Sequence, residues 1–281
     1  MSALTYDVFV CDPIPQAVTA LVPNGDRREF SPLSVTLISG SEDAVLVDPP
    51  MTIDQTNAVA EWIAASGKDL THIFATHGHG DHWFGAAALA ERFGAQVVAT
   101  EATIAQMHLN LSIRAGFWDA LFPGQIAETD VTAVVADGGR IDLEGHELRI
   151  IEVGHSDTDD TSVLHVPSLD LVVAGDVIYN GVHQFLREAQ GDGIQQWLRA
   201  VTIVEDLAPH FIVAGHKNRE LDDDAARAIA QTREYLDVAR ATLGTATTAL
   251  DFFNAMLERF PDRLNAGALW GGAVALYPSS A

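Results

Sequence analysis

The densest group of ligand-type side chains in the chain lies in residues 76–82, which read Thr-His-Gly-His-Gly-Asp-His. Three imidazoles and one carboxylate fall within six residues, an arrangement that is costly to bury unless a cation holds it together. Gly78 and Gly80 allow sharp backbone turns, so that the four side chains can converge. An apolar run precedes this segment and a helical pattern follows it. We therefore interpret it as a metal-binding loop, unlike the His-Glu-x-x-His motif, whose histidines share a helix face.

Three further ligand-type residues each follow a glycine that ends an apolar run. They are His155, Asp176 and His216. Because strand ends at one edge of a sandwich meet at one place, we expect these side chains to join residues 76–82. Asp48 also ends an apolar run, Leu46-Val47-Asp48. Asp81 is in addition placed to cap a helix beginning at Trp83.

Short apolar runs alternate with longer amphipathic stretches along the chain. The predicted strands are 33–39, 44–47, 70–75, 96–99, 148–153, 162–166, 171–174 and 211–214. The predicted helices are 52–65, 83–93, 194–207 and most of the chain beyond 220, with breaks at Gly244 and Pro261. This order favours an α/β protein with two mixed sheets and helices outside, a four-layer αββα sandwich.

No Ser/Gly/Pro-rich linker divides the sequence, so we expect a single domain over residues 1–281. The irregular helical stretch 101–125 is interpreted as a cap over the site. Residues 221–281 form a C-terminal helical extension, which packs on the sandwich or provides the surface of a homodimer. Several aromatic residues are candidates for the wall of an apolar pocket: Trp83, Phe84, Phe117, Trp118 and Phe122.

The composition restricts the kind of partner. The 281 residues include 39 Asp and Glu against 16 Lys and Arg, a net charge of −23. Few cations remain to build a basic groove, which argues against nucleic acid and against an anionic membrane surface as partners. Cys11 is the only cysteine, so zinc sites built from cysteines are excluded. Residues 1–10 show no secretory signal and no apolar run is long enough for a membrane span, so we expect a cytoplasmic protein.

These motifs resemble the metallo-β-lactamase-fold superfamily, on the branch that binds two metals. The resemblance covers about residues 45–216, from Asp48 through the His-x-His-x-Asp-His loop to the three glycine-preceded residues. It implies a first metal bound by His77, His79 and His155. It implies a second metal bound by Asp81, His82 and His216, with Asp176 bridging both. Asp48 would orient a ligand histidine. Such donors suit two divalent ions, Zn²⁺ first, with iron, manganese or cobalt also allowed.

One segment of the sequence departs from the family pattern, and one residue adds to the pattern. Family members often read Gly-His-Thr-Pro-Gly where this chain reads Gly-His-Ser-Asp-Thr-Asp-Asp at 154–160. Close relatives of glyoxalase II are therefore less expected. In lactone-cleaving members a tyrosine near the bridging aspartate bonds the substrate carbonyl, and Tyr179 has that place here. His183 lies close enough along the chain to face the same pocket.

The resemblance implies a zinc-dependent hydrolase. A hydroxide between the metals would attack the carbonyl of a lactone, ester or thioester in a small molecule, with Asp81 receiving a proton and Tyr179 donating to the oxyanion. β-Lactam cleavage is disfavoured, because the resistance enzymes use a cysteine ligand or lack the bridging aspartate. Phosphodiester cleavage is disfavoured by the acidity. A mononuclear iron dioxygenase acting on persulfides and a metal-stabilised binding protein remain as alternatives, distinguished by metal content and a hydrolysis screen.

Overall fold

The structure is a computed structural model that describes residues 3–128 and 133–278. The strands are β1 Thr5–Cys11, β2 Ile14–Pro15, β3 Glu29–Phe30, β4 Leu33–Ser39, β5 Asp43–Val47, β6 Asp69–Phe74, β7 Gln96–Ala99, β8 Val134–Val135, β9 Arg140–Leu143, β10 His146–Gly154, β11 Thr161–Val166, β12 Leu171–Val173, β13 Tyr179–Asn180, β14 Phe211–Val213 and β15 His216–Lys217. The helices are α1 Ile53–Ser66, α2 Ala86–Phe93, α3 Glu101–Ile113, α4 Trp118–Leu121, α5 Gly193–Asp206, α6 Ala225–Leu243, α7 Ala249–Arg259 and α8 Ala266–Leu276. Within these described ranges, no helix is both long and apolar enough to cross a membrane.

Two mixed sheets form the centre of the fold. The first has the strand order β1-β4-β5-β6-β7-β8, and the second has the order β14-β12-β11-β10-β9. In the first sheet, β4 and β5 pair antiparallel whereas β5, β6 and β7 run parallel. In the second sheet, β12 pairs parallel with β14 and antiparallel with β11. Several strands of both sheets therefore end at the same edge of the molecule.

Side-chain alternation divides each strand between two hydrophobic layers. In β5, Val45 and Val47 pack into the cluster between the two sheets, whereas Ala44 and Leu46 pack outward against α1 and α2. The outer face of the second sheet is covered by α5–α8 in another cluster, which includes Trp197. The four layers confirm the αββα sandwich predicted from the sequence.

The predicted elements match the structure apart from their ends, with one consequential difference. The helix expected from Trp83 begins only at Ala86, after a 3₁₀ turn at Gly80–His82. Gly85 occupies the N-cap position, and no side chain caps the helix. The expectation that Asp81 caps this helix was therefore wrong, because the 3₁₀ turn separates Asp81 from the first helical turn.

One side chain joins the two sheets at the end of β4 that is remote from Asp48. Glu144, in the β9–β10 turn, adopts a left-handed backbone with φ 52°. Its carboxylate accepts hydrogen bonds from the backbone N–H groups of Ser41 at 2.9 Å, Glu42 at 2.7 Å and Asp43 at 3.0 Å. The β4–β5 turn of the first sheet is thus held by a residue of the second.

Candidate metal centre

The predicted site residues lie at one edge of the sandwich, where strands of both sheets end. The loop of residues 76–82 follows β6 of the first sheet, whereas Asp176 and His216 follow β12 and β14 of the second. Ser162 joins the two sheets here, because its backbone N–H and its hydroxyl both donate to the carbonyl oxygen of Thr76, at 2.9 and 2.8 Å. The loops are therefore fixed to each other before any ligand is considered.

Two of the glycines that precede ligand-type residues are required by close approach. A Cβ on Gly215 would lie 2.1 Å from Oδ1 of Asp176, and a Cβ on Gly175 would lie 2.3 Å from Oγ1 of Thr76. Gly154 has open space around it but a φ of 82°, which favours glycine for conformational reasons. The repeated glycine thus reflects two different physical requirements.

Among the residues that the structure describes, ligand-type side chains form three overlapping groups, in each of which the ligand atoms lie within 4.8 Å of one another. The first triad is His77, His79 and Asp157, and the second triad is Asp81, His82 and His216. These two triads share no residue. A third group, His77, His82 and Asp176, takes one histidine from each triad and adds Asp176. Asp176 is thus the carboxylate that lies between the two triads.

Distances at the second triad show how closely its members approach. Nε2 of His82 lies 3.2 Å from Oδ2 of Asp81 and 3.3 Å from Oδ1 of Asp176. Nε2 of His216 lies 3.2 Å from Oδ2 of Asp176 and 3.4 Å from Oδ2 of Asp81. The other nitrogen of His216, Nδ1, donates to the carbonyl oxygen of Pro32 at 2.9 Å. Its Nε2 lone pair is therefore directed into the centre.

The first triad differs from the set implied by the resemblance. His155 is absent from all three groups, and its Nε2 lies 3.0 Å from where a Cβ on Gly193 would be. Its Nδ1 donates to Asp159 at 2.7 Å, outside the centre. A compact turn explains the change, because Ser156 bonds Thr161 Oγ1 at 2.9 Å and returns Asp157 to the centre. The first triad thus offers Asp157 where the resemblance implied His155. Nε2 of His155 is itself buried without a hydrogen-bond partner, so its assignment to the first metal stays a prediction. The acidic run at 157–160, noted as a departure, was the signal available in the sequence.

Buried polar atoms without hydrogen-bond partners point into this centre. They include Nε2 of His77, Nε2 of His82, Oδ2 of Asp157 and Oδ1 of Asp176. Leaving such atoms unpaired in a buried site costs free energy, and a cation among them satisfies lone pairs on nitrogen and oxygen together. The donor set of imidazoles and carboxylates therefore fits divalent metal ions.

Asp48 orients the loop of residues 76–82 through its carboxylate. Its Oδ1 accepts from the backbone N–H of Thr76 at 2.8 Å, and its Oδ2 accepts from the Thr76 hydroxyl at 2.9 Å. That hydroxyl in turn accepts from Nδ1 of His77 at 3.0 Å. Nδ1 of His82 lies 3.1 Å from Oδ2 of Asp48. Asp48 thus orients two ligand histidines, and it does so from a left-handed backbone with φ 55°.

Close opposite charges set the protonation of the centre. Burial lowers the pKa of His216, but the carboxylates of Asp176 and Asp81 outweigh it and raise the pKa to about 10. Burial raises the pKa of Asp176, yet His216 and His82 outweigh it and hold the pKa well below its ordinary value. Burial, followed by the charge of His82, puts the pKa of His77 well below its ordinary value. A divalent cation replaces the positive charge of protonated imidazoles here, so its uptake releases protons.

The two remaining candidate residues, Tyr179 and His183, lie in different surroundings. Tyr179 is buried at the centre, in register with His216 through the β13–β15 pair, and its hydroxyl donates to Oδ2 of Asp176 at 2.5 Å. The proton expected to reach the substrate is thus directed at Asp176. His183 is buried and faces Tyr235, whose hydroxyl lies 3.1 Å from its Nδ1, so it does not line the pocket.

A pocket of about 420 Å³ opens onto the centre. Helices α3 and α4 and the segment between them form one wall, which includes Leu109, Ile113 and Phe117. Helix α8 adds Gly267, Ala268 and Gly271 to the lining, which no pattern in the sequence predicted. Of the aromatic residues predicted for the wall, Phe117 and Trp118 line the pocket. Trp83, Phe84 and Phe122 are buried in the adjacent core cluster.

Comparison with known proteins places the chain in a family. A family model described as the metallo-beta-lactamase superfamily matches residues 28–216, and the chain belongs to this superfamily. The chain is 30% identical over 219 residues to a hydroxyacylglutathione hydrolase of Rhizobium meliloti (strain 1021), which covers 77% of this chain and 68% of that protein. A relative of the glyoxalase II type is thus found at modest identity, although the turn at 154–160 departs from the pattern.

Solved structures share the fold at low sequence identity. A metallo-beta-lactamase family protein from Thermus thermophilus superposes with a TM-score of 0.64 at 19% identity, covering 95% of this chain and 91% of that one. The DIM-1 metallo-beta-lactamase gives a TM-score of 0.59 at 18% identity, covering 84% and 97%. Together with the hydrolase relative, the family supports a metal-dependent hydrolase.

Proposed function

We propose that this protein is a hydrolase that holds two divalent metal ions, Zn²⁺ in the first place, and cleaves a carbonyl ester-type bond in a small molecule. The bond belongs to a thioester, ester or lactone. The observation that carries the proposal is the pair of separate triads with Asp176 between them, at the base of a pocket. Two His₂–carboxylate sets that share no ligand favour two ions over one.

The first triad would hold one ion and the second triad the other, with Asp176 between them. Bound there, divalent ions lower the pKa of a coordinated water to about 7 and polarise a carbonyl oxygen. Asp81 lines the pocket and would receive the proton released during hydrolysis, as the resemblance implies. Tyr179 keeps Asp176 in place through its hydroxyl.

The pocket supports a small substrate with an apolar part. Its volume of about 420 Å³ falls within the range typical of small-molecule sites, about 300–1,000 Å³. Leu109, Ile113, Phe117 and Phe185 provide apolar surface near the centre. The hydroxyacylglutathione hydrolase relative makes a thioester the first substrate to test.

The test combines metal content with a substrate panel. Metal-stripped protein is reloaded separately with zinc, manganese or iron, and each form is assayed on a thioester, a lactone, a simple ester, a β-lactam and a phosphodiester. We expect two ions per chain and hydrolysis of at least one carbonyl ester-type substrate, lost on chelation. Two bound ions with no hydrolysis of any of the first three substrates would contradict the proposal.

The first triad favours a second candidate. Two histidines and one carboxylate form the donor set of non-haem iron oxygenases, and His77, His79 and Asp157 provide that set here. An iron enzyme oxidising persulfides would bind one iron per chain and consume oxygen in the presence of a persulfide. Oxygen-electrode measurements on the iron-loaded protein distinguish it from the hydrolase.

A further inference from the structure

His79 has a hydrogen-bond partner outside the first triad that borders the pocket. Its Nδ1 lies 2.8 Å from Oδ2 of Asp157, inside the first triad. Its Nε2 donates to Oε1 of Glu188 at 3.1 Å. The ring therefore lies between two carboxylates, one on each nitrogen. Asp157 is buried, whereas the side chain of Glu188 is 46% exposed.

The geometry around Glu188 fixes its orientation. Its second oxygen, Oε2, accepts a hydrogen bond from the hydroxyl of Thr158 at 2.8 Å. Thr158 follows Asp157 directly, so the turn that brings Asp157 into the first triad also holds Glu188. The ring of Phe185 packs edge-on against His79, with centroids 5.8 Å apart. Two residues of the segment 181–192 thus confine the imidazole of His79.

A neutral imidazole has one N–H and one lone pair, and a carboxylate can only accept. In a metal-bound His79 the ion would take one ring nitrogen and the proton would stay on the other. Nε2 is the nitrogen that donates to Glu188, so Nδ1, which faces Asp157, is the nitrogen left for the ion. We propose that Glu188 is a positioning residue for the first metal: it fixes the tautomer and the ring orientation in which Nδ1 of His79 binds the ion. This rests on the proposed metal centre, and not on which bond the enzyme cleaves.

The other ligand histidines are held differently. His77 and His82 are held by Thr76 and Asp48, and His216 is held by a backbone carbonyl, all buried partners. Glu188, by contrast, lies on the segment between β13 and α5 and lines the pocket. Among the outer hydrogen bonds of the ligand histidines, the one at His79 is therefore the one that lies at the pocket.

Two substitutions separate this role from a general effect of charge. Glu188→Ala removes the acceptor, whereas Glu188→Gln removes the charge and keeps an oxygen that accepts from Nε2 of His79. Outer hydrogen-bond partners of ligand histidines typically contribute about 10–100-fold to metal affinity. We expect Glu188→Ala to weaken one of the two binding events by about that factor, and Glu188→Gln to restore the affinity to within a few-fold of the parent protein.

The measurement is a chelator-competition titration of the metal-stripped full-length protein with Zn²⁺, without substrate, so that a failed hydrolysis screen leaves its outcome unaffected. ¹⁵N NMR of the imidazole rings reports the His79 tautomer independently. Thr158→Val should weaken the same event by less than Glu188→Ala. Glu152→Ala, which removes an exposed carboxylate from β10, is the matched control and should leave both events unchanged. Parent-like affinity and tautomer in Glu188→Ala would overturn the proposal, as would a Glu188→Gln variant as weak as Glu188→Ala.

Discussion

The hydroxyl of Tyr179 donates a 2.5 Å hydrogen bond to Oδ2 of Asp176, and both residues are buried. Burial, together with the charge of Asp176, raises the pKa of Tyr179 well above its ordinary value, so the hydroxyl keeps its proton. The tyrosine is thus a permanent donor to the carboxylate that lies between the two triads. Its hydroxyl therefore contacts a candidate metal ligand, Asp176, directly.

Tyr179→Phe removes this donor and keeps the ring. We expect metal affinity to fall by about 10–100-fold, because a ligand carboxylate loses its outer hydrogen bond. Chelator competition measures this, with Tyr235→Phe as the control, since that buried hydroxyl faces His183 and not the centre. Unchanged metal affinity with a turnover loss of about 10²–10³ would instead show a donor to the oxyanion, as the resemblance implied.

Asp157 and His155 can be compared directly, because they are two residues apart and only Asp157 joins the first triad. Asp157→Ala is expected to lower the metal content from two ions per chain to one, since it removes a ligand and leaves the second triad intact. His155→Ala is expected to keep two. Elemental analysis after gel filtration counts the ions, and the reverse pattern would restore the ligand set implied by the resemblance.

Most of the centre was predictable because its side chains follow buried strands. His77, Asp176 and His216 each come just after a strand whose apolar run is visible in the sequence, and the ends of neighbouring strands meet. Asp157 and Glu188 lie in irregular segments instead. Their positions depend on side-chain hydrogen bonds, such as that from Thr158 to Glu188, which no periodic pattern encodes.

The secondary structure likewise divides into elements that the sequence predicts and elements that it does not. Buried strands such as β4 were placed to the residue, whereas β1 was missed, because it is an edge strand with partly exposed side chains. The start of α2 was misplaced, because Trp83 and Phe84, which follow the 3₁₀ turn at Gly80–His82, continue the apolar pattern of the helix although the helix begins only at Ala86. Local propensity therefore located the buried layers, and tertiary contacts determined the remainder.

Two adjacent glycines of α8 offer a matched test of the pocket wall. A Cβ at Gly271 meets no atom within 4 Å, whereas a Cβ at Gly272 lies 3.0 Å from Cβ of Leu186. Gly271→Ala should therefore stabilise the protein by about 0.5–1 kcal/mol through helix propensity, and Gly272→Ala should destabilise it. Urea unfolding measures both changes.

Gly271→Ala also has a functional consequence, since Gly271 lines the pocket. The added methyl group reduces the space beside α8, so the ratio kcat/KM should fall more for a bulky acyl substrate than for an acetyl one. Equal effects on both substrates would mean that the acyl group does not reach α8.

His183 predicts part of the pH dependence of stability. Burial, and then the charge of Arg263, lowers its pKa to about 3, so it is neutral in the folded protein. In the unfolded chain it takes up a proton below about pH 6.5. It therefore reduces the free energy of unfolding as the pH falls from about 6.5 towards 3, by up to about 1.4 kcal/mol per pH unit.

His183→Gln lacks this titration. The difference in unfolding free energy between the parent protein and His183→Gln, measured in urea with excess chelator, should shift in favour of the variant by about 2 kcal/mol between pH 7.5 and pH 5. Because both proteins contain the other histidines, taking the difference cancels the contribution of those residues to the pH dependence. A difference that stayed constant with pH would show that His183 has the same pKa in the folded and the unfolded protein.

The carboxylate of Glu144 has a consequence for how the sandwich opens. The N–H groups of Ser41, Glu42 and Asp43 lie in a surface turn, where amide protons normally exchange quickly with water. All three instead donate to a residue of the other sheet. Their exchange with deuterium therefore requires the β9–β10 turn to separate from the first sheet. The exchange rates of these three amides therefore measure how often the two sheets separate at the end remote from the metal centre. Glu144→Ala should abolish their protection from exchange.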